Sequence, residues 1–181
     1  AEYRQRTGHE FWNGDKYVSC DYGTQNPTAF LLWSKGADGK WYCRREYYYS
    51  GRDKGKQKTN KEFSDDLIMW LAGERVRAII LDPATASFKI ELEEAGYKVK
   101  KAKNDVLDGI RFVATLLLSG SIFIDASCEN LIKEFASYIW DAKAAEHGED
   151  KPVKEHDHAL DALRYFCYTI IRRIGGVKIL K

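Results

Sequence analysis

The run Val76-Arg77-Ala78-Ile79-Ile80-Leu81 constrains the fold more than any other segment. Its last four residues are all apolar, so a strand here has both faces covered. Helically spaced apolar residues lie on either side of it. Phe63, Leu67, Ile68 and Leu71 precede it, and the stretch Ala84–Ala95, closed by Gly96, follows it. A strand placed between two such helices belongs to the middle of a parallel sheet. The chain is therefore expected to be an α/β protein.

The first third reads differently. Lys16–Tyr22 alternates polar and apolar residues, Thr28–Trp33 is apolar and β-prone, and Trp41–Tyr49 is rich in aromatics. Asp38-Gly39 between the last two is a hairpin signal, and Gly23–Pro27 is turn-like, so these strands form an antiparallel meander. Asn60 is expected to cap the helix that ends before Gly73. After the central strand, Tyr97–Lys101 reads as a fifth strand, and Asn104-Asp105 as the cap of a helix with Val106, Leu107, Ile110, Val113, Ala114 and Leu117 on one face. Ser121–Ile124 reads as a short strand or extended link and Cys128–Ala145 as a helix. Glu146–Lys154 reads as a polar loop, and a last helix runs from about Asp157 to Arg173. A meander followed by right-handed β-α-β crossovers gives a mixed, twisted sheet of antiparallel then parallel strands with helices on both faces. This is the layout of the ribonuclease-H-like fold, and residues 1–181 are expected to form one such domain.

In that layout the first and fourth strands are neighbours, and each ends in an aspartate: Asp21 and Asp82. Asp161, early in the last helix, can be brought across their ends. A carboxylate at the end of a buried strand is costly unless something pairs with it. Three together make an all-oxygen pocket suited to Mg2+ or Mn2+, the setting of two-ion phosphodiester cleavage. His158, three residues before Asp161, shares its helix face and is expected to orient a carboxylate or a phosphate. Asp157 is the substitute for Asp161, or simply a favourable charge at the helix N-terminus.

Each residue also has a plainer reading. On the tetrapeptide Asp21-Tyr22-Gly23-Thr24 alone, Asp21 reads as a turn aspartate bonded to its own backbone, and Asp82 reads equally as a helix N-cap. The same tetrapeptide resembles the phosphate loop of actin-like ATPases, but that architecture needs a second loop and a duplicated domain, too much for 181 residues. Gly51–Gln57 is not a Walker loop, since its glycines are one residue too close and Gln57 stands where a Mg2+-binding hydroxyl belongs. Tyr47-Tyr48-Tyr49 is expected to alternate on an edge strand. His156-x-His158 without cysteine partners is a weak zinc signal.

The net charge of +2 does not by itself call for a nucleic acid. Local clusters say more: Arg52, Lys54, Lys56, Lys58 and Lys61 in one segment, and Lys98, Lys100, Lys101 and Lys103 in another. They read either as solvated faces or as a path for phosphates. Cys20, Cys43, Cys128 and Cys167 include no Cys-x-x-Cys pair, so a reduced, intracellular setting is expected, with Cys20 and Cys167 in the core. Phe112–Ile124 is interrupted by Ser119-Gly120-Ser121 and falls short of the ~20 residues of a membrane span. Nor does the polar start, Ala1-Glu2-Tyr3-Arg4, read as a signal peptide, and the missing initiator Met fits an excised fragment or Met removal equally.

From about Phe11 onward the chain resembles a known family. The matching strings are Val18-Ser19-Cys20-Asp21-Tyr22-Gly23-Thr24-Gln25-Asn26-Pro27-Thr28, Ile79-Ile80-Leu81-Asp82-Pro83-Ala84, Lys103-Asn104-Asp105-Val106-Leu107-Asp108-Gly109-Ile110, and Asp157-His158-Ala159-Leu160-Asp161-Ala162-Leu163-Arg164-Tyr165. They resemble the C-terminal nuclease domain of the large terminase subunit of tailed phages and prophages. The resemblance implies a metal-dependent endonuclease that cuts concatemeric double-stranded viral DNA during packaging. Its acidic triad falls on Asp21, Asp82 and Asp161 beside His158, with two Mg2+ or Mn2+ ions per site. It implies as partners a terminase ATPase domain, absent from this chain, a small subunit and a portal, with the work done in the host cytoplasm at the procapsid. Another nuclease of the same fold (integrase or resolvase type) and a non-catalytic DNA-docking module are the alternatives.

Overall fold

The computed structural model describes residues 9–23, 26–145 and 157–174. Thr24 and Gln25, the expected polar loop and His156 lie outside them. After a 3-10 turn (His9–Trp12) come strands β1 (Lys16–Asp21), β2 (Thr28–Lys35) and β3 (Trp41–Tyr49). A short helix α1 (Gly51–Lys54) and helix α2 (Asn60–Leu71) follow. Then β4 (Ala78–Leu81), α3 (Ala86–Glu94), β5 (Val99–Lys101), α4 (Val106–Leu118), β6 (Ile122–Ile124) and α5 (Glu129–Ala145) alternate. Helix α6 (His158–Phe166) continues through a π-helical stretch, Cys167–Ile171, into a last turn, Arg172–Ile174.

The six strands form one sheet in the order β5-β4-β1-β2-β3-β6. β1, β2 and β3 are antiparallel, while β4 runs parallel to β1, β5 to β4, and β6 to β3. The expected mixed sheet is present, and the segment at Ser121–Ile124 is its sixth strand.

Side chains alternate across the sheet and build two cores. Val18, Cys20, Phe30, Leu32, Ile79 and Leu81 face α2 and α3, meeting Phe63, Leu67, Leu71, Phe88 and Leu92. Tyr17, Leu31, Trp33, Trp41, Ala78 and Ile80 face α4, α5 and α6. On that side Ala159 and Ala162 are fully buried, and Phe166 stacks on Trp33 at 4.3 Å between ring centres. Small residues on the inner face of α6 let it lie close over β1 and β2.

Three caps differ from expectation. The N-cap of α2 is Thr59, which forms a reciprocal capping box with Glu62, and Asn60 instead accepts the Tyr22 hydroxyl. Asp82 does not cap α3, whose N-cap is Thr85; its Oδ1 accepts from the Ala84 amide at 2.7 Å. Asp105 holds the N-cap position of α4 without a side-chain cap bond, and Asn104 points elsewhere.

β3 carries an irregularity. Leu32 pairs with Arg45 but Trp33 with Cys43, so Arg44 is an extra residue. One inserted residue reverses the side-chain alternation beyond it. Glu46 and Tyr48 therefore lie on the α5–α6 side of the sheet with Cys43, while Tyr47 stacks on Phe30 on the other. Because β6 pairs with Trp41–Cys43, β3 is an edge only in its second half.

Candidate active site

The parallel pairing of β1 with β4 sets the site. Tyr17 faces Ala78 and Cys20 faces Leu81, so one further step puts Asp21 beside Asp82. Both aspartates continue the alternation that turns Tyr17, Ser19, Ala78 and Ile80 toward α6. Helix α6 meets them there. His158 Nδ1 lies 2.8 Å from Asp21 Oδ2, and the Tyr165 hydroxyl donates to Asp82 Oδ2 at 2.8 Å. Asp21 thus bonds across the fold rather than in its own turn, which Thr28 closes by bonding Gly23.

Asp161 is one turn further along α6. Arg164 donates to its Oδ1 twice, from Nε at 3.2 Å and Nη2 at 2.8 Å. The same guanidinium donates from Nη1 to Asn104 Oδ1 at 3.1 Å, and Asn104 Nδ2 donates to Asp82 Oδ2 at 3.0 Å. Arg164 is 4% exposed, a buried cation held by one carboxylate, one side-chain amide and, at 3.5 Å, the Asp105 carbonyl.

The electrostatics are those of crowded, half-dried acids. Burial raises Asp21 above the usual carboxylate range, opposed by the bond to His158 and aided by the charges of Asp157 and Asp82. Burial also raises Asp161 against the pull of Arg164. For His158, burial favours the neutral ring, but the hydrogen bond and charge of Asp21, with Glu134 and Asp157, outweigh it and raise its pKa. Both are therefore raised: on Asp21 burial outweighs the pull of His158, and on His158 the surrounding carboxylates outweigh burial.

Two glutamates behind this layer escaped the sequence reading. Glu46 on β3 accepts from the Asn130 and Leu131 amides at 2.7 and 2.9 Å, capping the first turn of α5 from outside. Glu134 on α5 accepts from the Leu160 amide at 2.9 Å and from the Tyr48 hydroxyl at 3.1 Å, capping α6 in the same way. Asp157, at the N-cap position of α6, makes no side-chain cap bond. Burial pushes Glu134 up to about 7. Glutamates far in sequence from the helices they cap leave no local signature, and the bulge that turns Glu46 inward is equally silent.

The donor set suits a hard divalent cation. Asp21 Oδ1 and Asp161 Oδ2 accept no hydrogen bond from the described residues, so each carboxylate keeps an oxygen to offer. Among the described residues, no three His, Cys, Asp or Glu side chains gather closely enough to hold one ion together.

The basic residues fall into two groups. Arg52 and Lys54 on α1 are exposed, Lys56 pairs with Glu62 at 2.8 Å, and Lys58 and Lys61 pair with Asp66 and Asp65. Lys101 and Lys103 are exposed, and Lys103 directly precedes Asn104, which bonds Asp82. Lys101 and Lys89 line a cleft of about 160 Å3 with Asp82, Pro83 and Thr85. The four cysteines are buried free thiols, with Cys43 and Cys128 sulfurs 3.7 Å apart.

Adjacent central strands ending in aspartates, crossed by a helix that brings a third, define a ribonuclease-H-like protein. The terminase RNaseH-like domain family matches residues 18–168, and the chain belongs to that family. It is 32% identical over 159 residues to the terminase large subunit of Escherichia phage T5, covering 86% of this chain and 35% of that protein. The large terminase of a thermophilic bacteriophage superposes with a TM-score of 0.82 at 49% identity, covering 91% of this chain and 42% of that one. The nuclease domain of the bacteriophage SPP1 large terminase, solved with bound Mn, shares the fold with a TM-score of 0.54 at 19% identity over 83% of this chain and 84% of that one. The chain therefore spans well under half the length of the first two relatives.

Proposed function

We propose that this chain is a divalent-metal-dependent endonuclease that cuts concatemeric double-stranded viral DNA during genome packaging. The observation that carries the reading is the parallel β1–β4 register, which brings Asp21 and Asp82 side by side where α6 presents His158 and Asp161. The Mn bound by the SPP1 nuclease domain, which shares this fold, supports a Mg2+ or Mn2+ site here. In this reading Asp21, Asp82 and Asp161 would hold two such ions through pairs of carboxylates. Bound there, the ions would supply an activated water and neutralise charge on the leaving 3′-oxygen.

The chain's own groups do the rest. His158 keeps one oxygen of Asp21 engaged, with a proton at Nδ1, and leaves the other oxygen available. Tyr165 and Asn104 restrain Asp82, and Arg164 restrains Asp161. Lys101, Lys103 and the more distant Arg52 and Lys54 are assigned to the phosphates of the duplex, which they hold without reading sequence, whereas Lys56 and Lys58, expected in the same path, are taken up by Glu62 and Asp66. Residues 1–181 act as one nuclease domain. Within a longer large-subunit protein its partners would be the ATPase domain, the small subunit and the portal, at the procapsid in the host cytoplasm.

The test is plasmid cleavage by the purified chain. With MnCl2 or MgCl2 it should nick and then linearise supercoiled DNA with little sequence preference, stop in EDTA, and neither need nor hydrolyse ATP. Asp21→Asn, Asp82→Asn and Asp161→Asn should each abolish cutting while the folded circular dichroism spectrum persists. Retained duplex binding by a wild-type chain that leaves plasmid intact in Mn2+ would instead make this a DNA-docking module. Full cleavage by Asp161→Asn would move its role to Asp157.

A further inference from the structure

The carboxylates of Asp82 and Asp161 sit on different elements 79 positions apart in the chain, yet one unbroken set of hydrogen bonds joins them. We infer that Asn104 and Arg164 form a bridge that pre-sets these two carboxylates for metal capture, with Asn104 as its keystone and Gly109 making the room it needs. The inference rests on the nuclease reading above.

Arg164 places two N–H groups on the same oxygen of Asp161, which fixes the carboxylate and leaves Oδ2 free of bonds from the described residues. Its remaining Nη1 donates to Asn104 Oδ1 at 3.1 Å and more weakly to the Asp105 carbonyl at 3.5 Å, and Asn104 Nδ2 donates to Asp82 Oδ2. The amide orientation follows from its partners, since a guanidinium only donates and a carboxylate only accepts. Asn is therefore specifically suited to this position. An Asp could take the Arg bond but would repel Asp82, and a Leu could do neither. Asn104 is exposed and holds no cap, so its place in the fold is otherwise unexplained.

Gly109 supplies the second half of the argument. A Cβ there would lie 2.7 Å from Arg164 Cγ and 2.8 Å from Cδ. Those atoms are mid-stem in a side chain pinned at its far end, so they have little freedom to move. The glycine on α4 lets the arginine pass from α6 to Asn104 at the start of the same helix. Groups that fix metal ligands in place in this way are commonly worth ten- to hundred-fold in metal affinity.

The experiment is a melting curve at increasing MnCl2 without DNA, run on wild type, Asn104→Leu and Gly109→Ala, with plasmid nicking against MnCl2 alongside. Asn104→Leu should lower the Tm in EDTA by a few degrees, because the buried Arg164 Nη1 is left with only the long bond to the Asp105 carbonyl. It should need roughly ten-fold more Mn2+ for the same rise in Tm and for half-maximal nicking. The nicking rate at saturating Mn2+ should recover most of its wild-type value, and duplex binding in EDTA should not change. Gly109→Ala should shift the Mn2+ response in the same direction. A merely structural role would lower Tm in EDTA and leave the Mn2+ midpoint alone. Superimposed Mn2+ curves for wild type and Asn104→Leu would overturn the bridge while the nuclease reading stood. A wild-type chain with neither a Mn2+-dependent Tm nor nicking would remove the nuclease reading and the bridge together.

Discussion

Glu134 shows how a single side chain can hold a site and oppose the fold at once. It is 6% exposed, and burial pushes its pKa up to about 7 from an ordinary 4.5. The folded state therefore holds this proton more tightly than the unfolded chain does. The resulting stability is complete below about pH 4.5 and is lost as pH rises through about 7, a change on the order of 3 kcal/mol. Glu134→Gln keeps an acceptor for the Leu160 amide without the charge. Its Tm should match wild type near pH 5 and exceed it by several degrees at pH 8. A difference that stayed flat across that range would mean that Glu134 ionises without penalty in the fold. His158, also raised, loses its stabilising contribution in the same direction, as pH climbs above its unfolded value.

At the scale of elements, two helices that shape the site are capped by glutamates of other elements. Glu46 takes the first-turn amides of α5, and Glu134, carried on α5, takes that of α6. The sheet thus sets α5, and α5 sets the helix that bears His158 and Asp161. Charged hydrogen bonds of this kind are worth roughly 1.5–3 kcal/mol. Glu46→Ala should cost about 2 kcal/mol and speed amide exchange at Asn130 and Leu131 ahead of the rest of the domain. It should also slow cleavage, because loosening α5 loosens Glu134 and the start of α6. Unchanged exchange at those two amides would show that α5 is held by its packing alone. Thr59→Ala, which opens the capping box of α2, should cost about 1 kcal/mol with no effect on cleavage, since α2 packs on the other face of the sheet.

For the whole molecule, the question is where a duplex runs. Lys56, Lys58 and Lys61 already have carboxylate partners, whereas Lys101 lines the cleft against Asp82. Lys101→Ala and Lys103→Ala should each flatten the salt dependence of duplex binding by roughly one unit of slope, with all sequences affected alike. Lys58→Ala should act mainly on stability, because it strands half-buried Asp66, which also accepts the Tyr47 hydroxyl. A slope untouched by the Lys101 and Lys103 changes would place the duplex elsewhere. No helix among the described residues is long and apolar enough to cross a membrane.

The linear sequence was enough for whatever depends on periodicity and order. Alternation in Lys16–Asp21, the doubly apolar Ala78–Leu81 and the helical spacing around it gave the mixed sheet, its meander and the adjacency of β1 and β4. The positions of Asp21, Asp82, Asp161 and His158 followed, because strand ends and helix faces are properties of local pattern. Tertiary structure alone decided how those side chains are held. The extra residue in β3 reverses an alternation that looks regular in the sequence, and so turns Glu46 and Tyr48 toward the site. Asn104, which reads as a helix cap, bridges Asp82 to Arg164, and Gly109 matters only because a stem from another helix passes it. Each of these shows in contacts between residues 22 to 86 positions apart, formed only when the helices close over the sheet, and no local pattern encodes them.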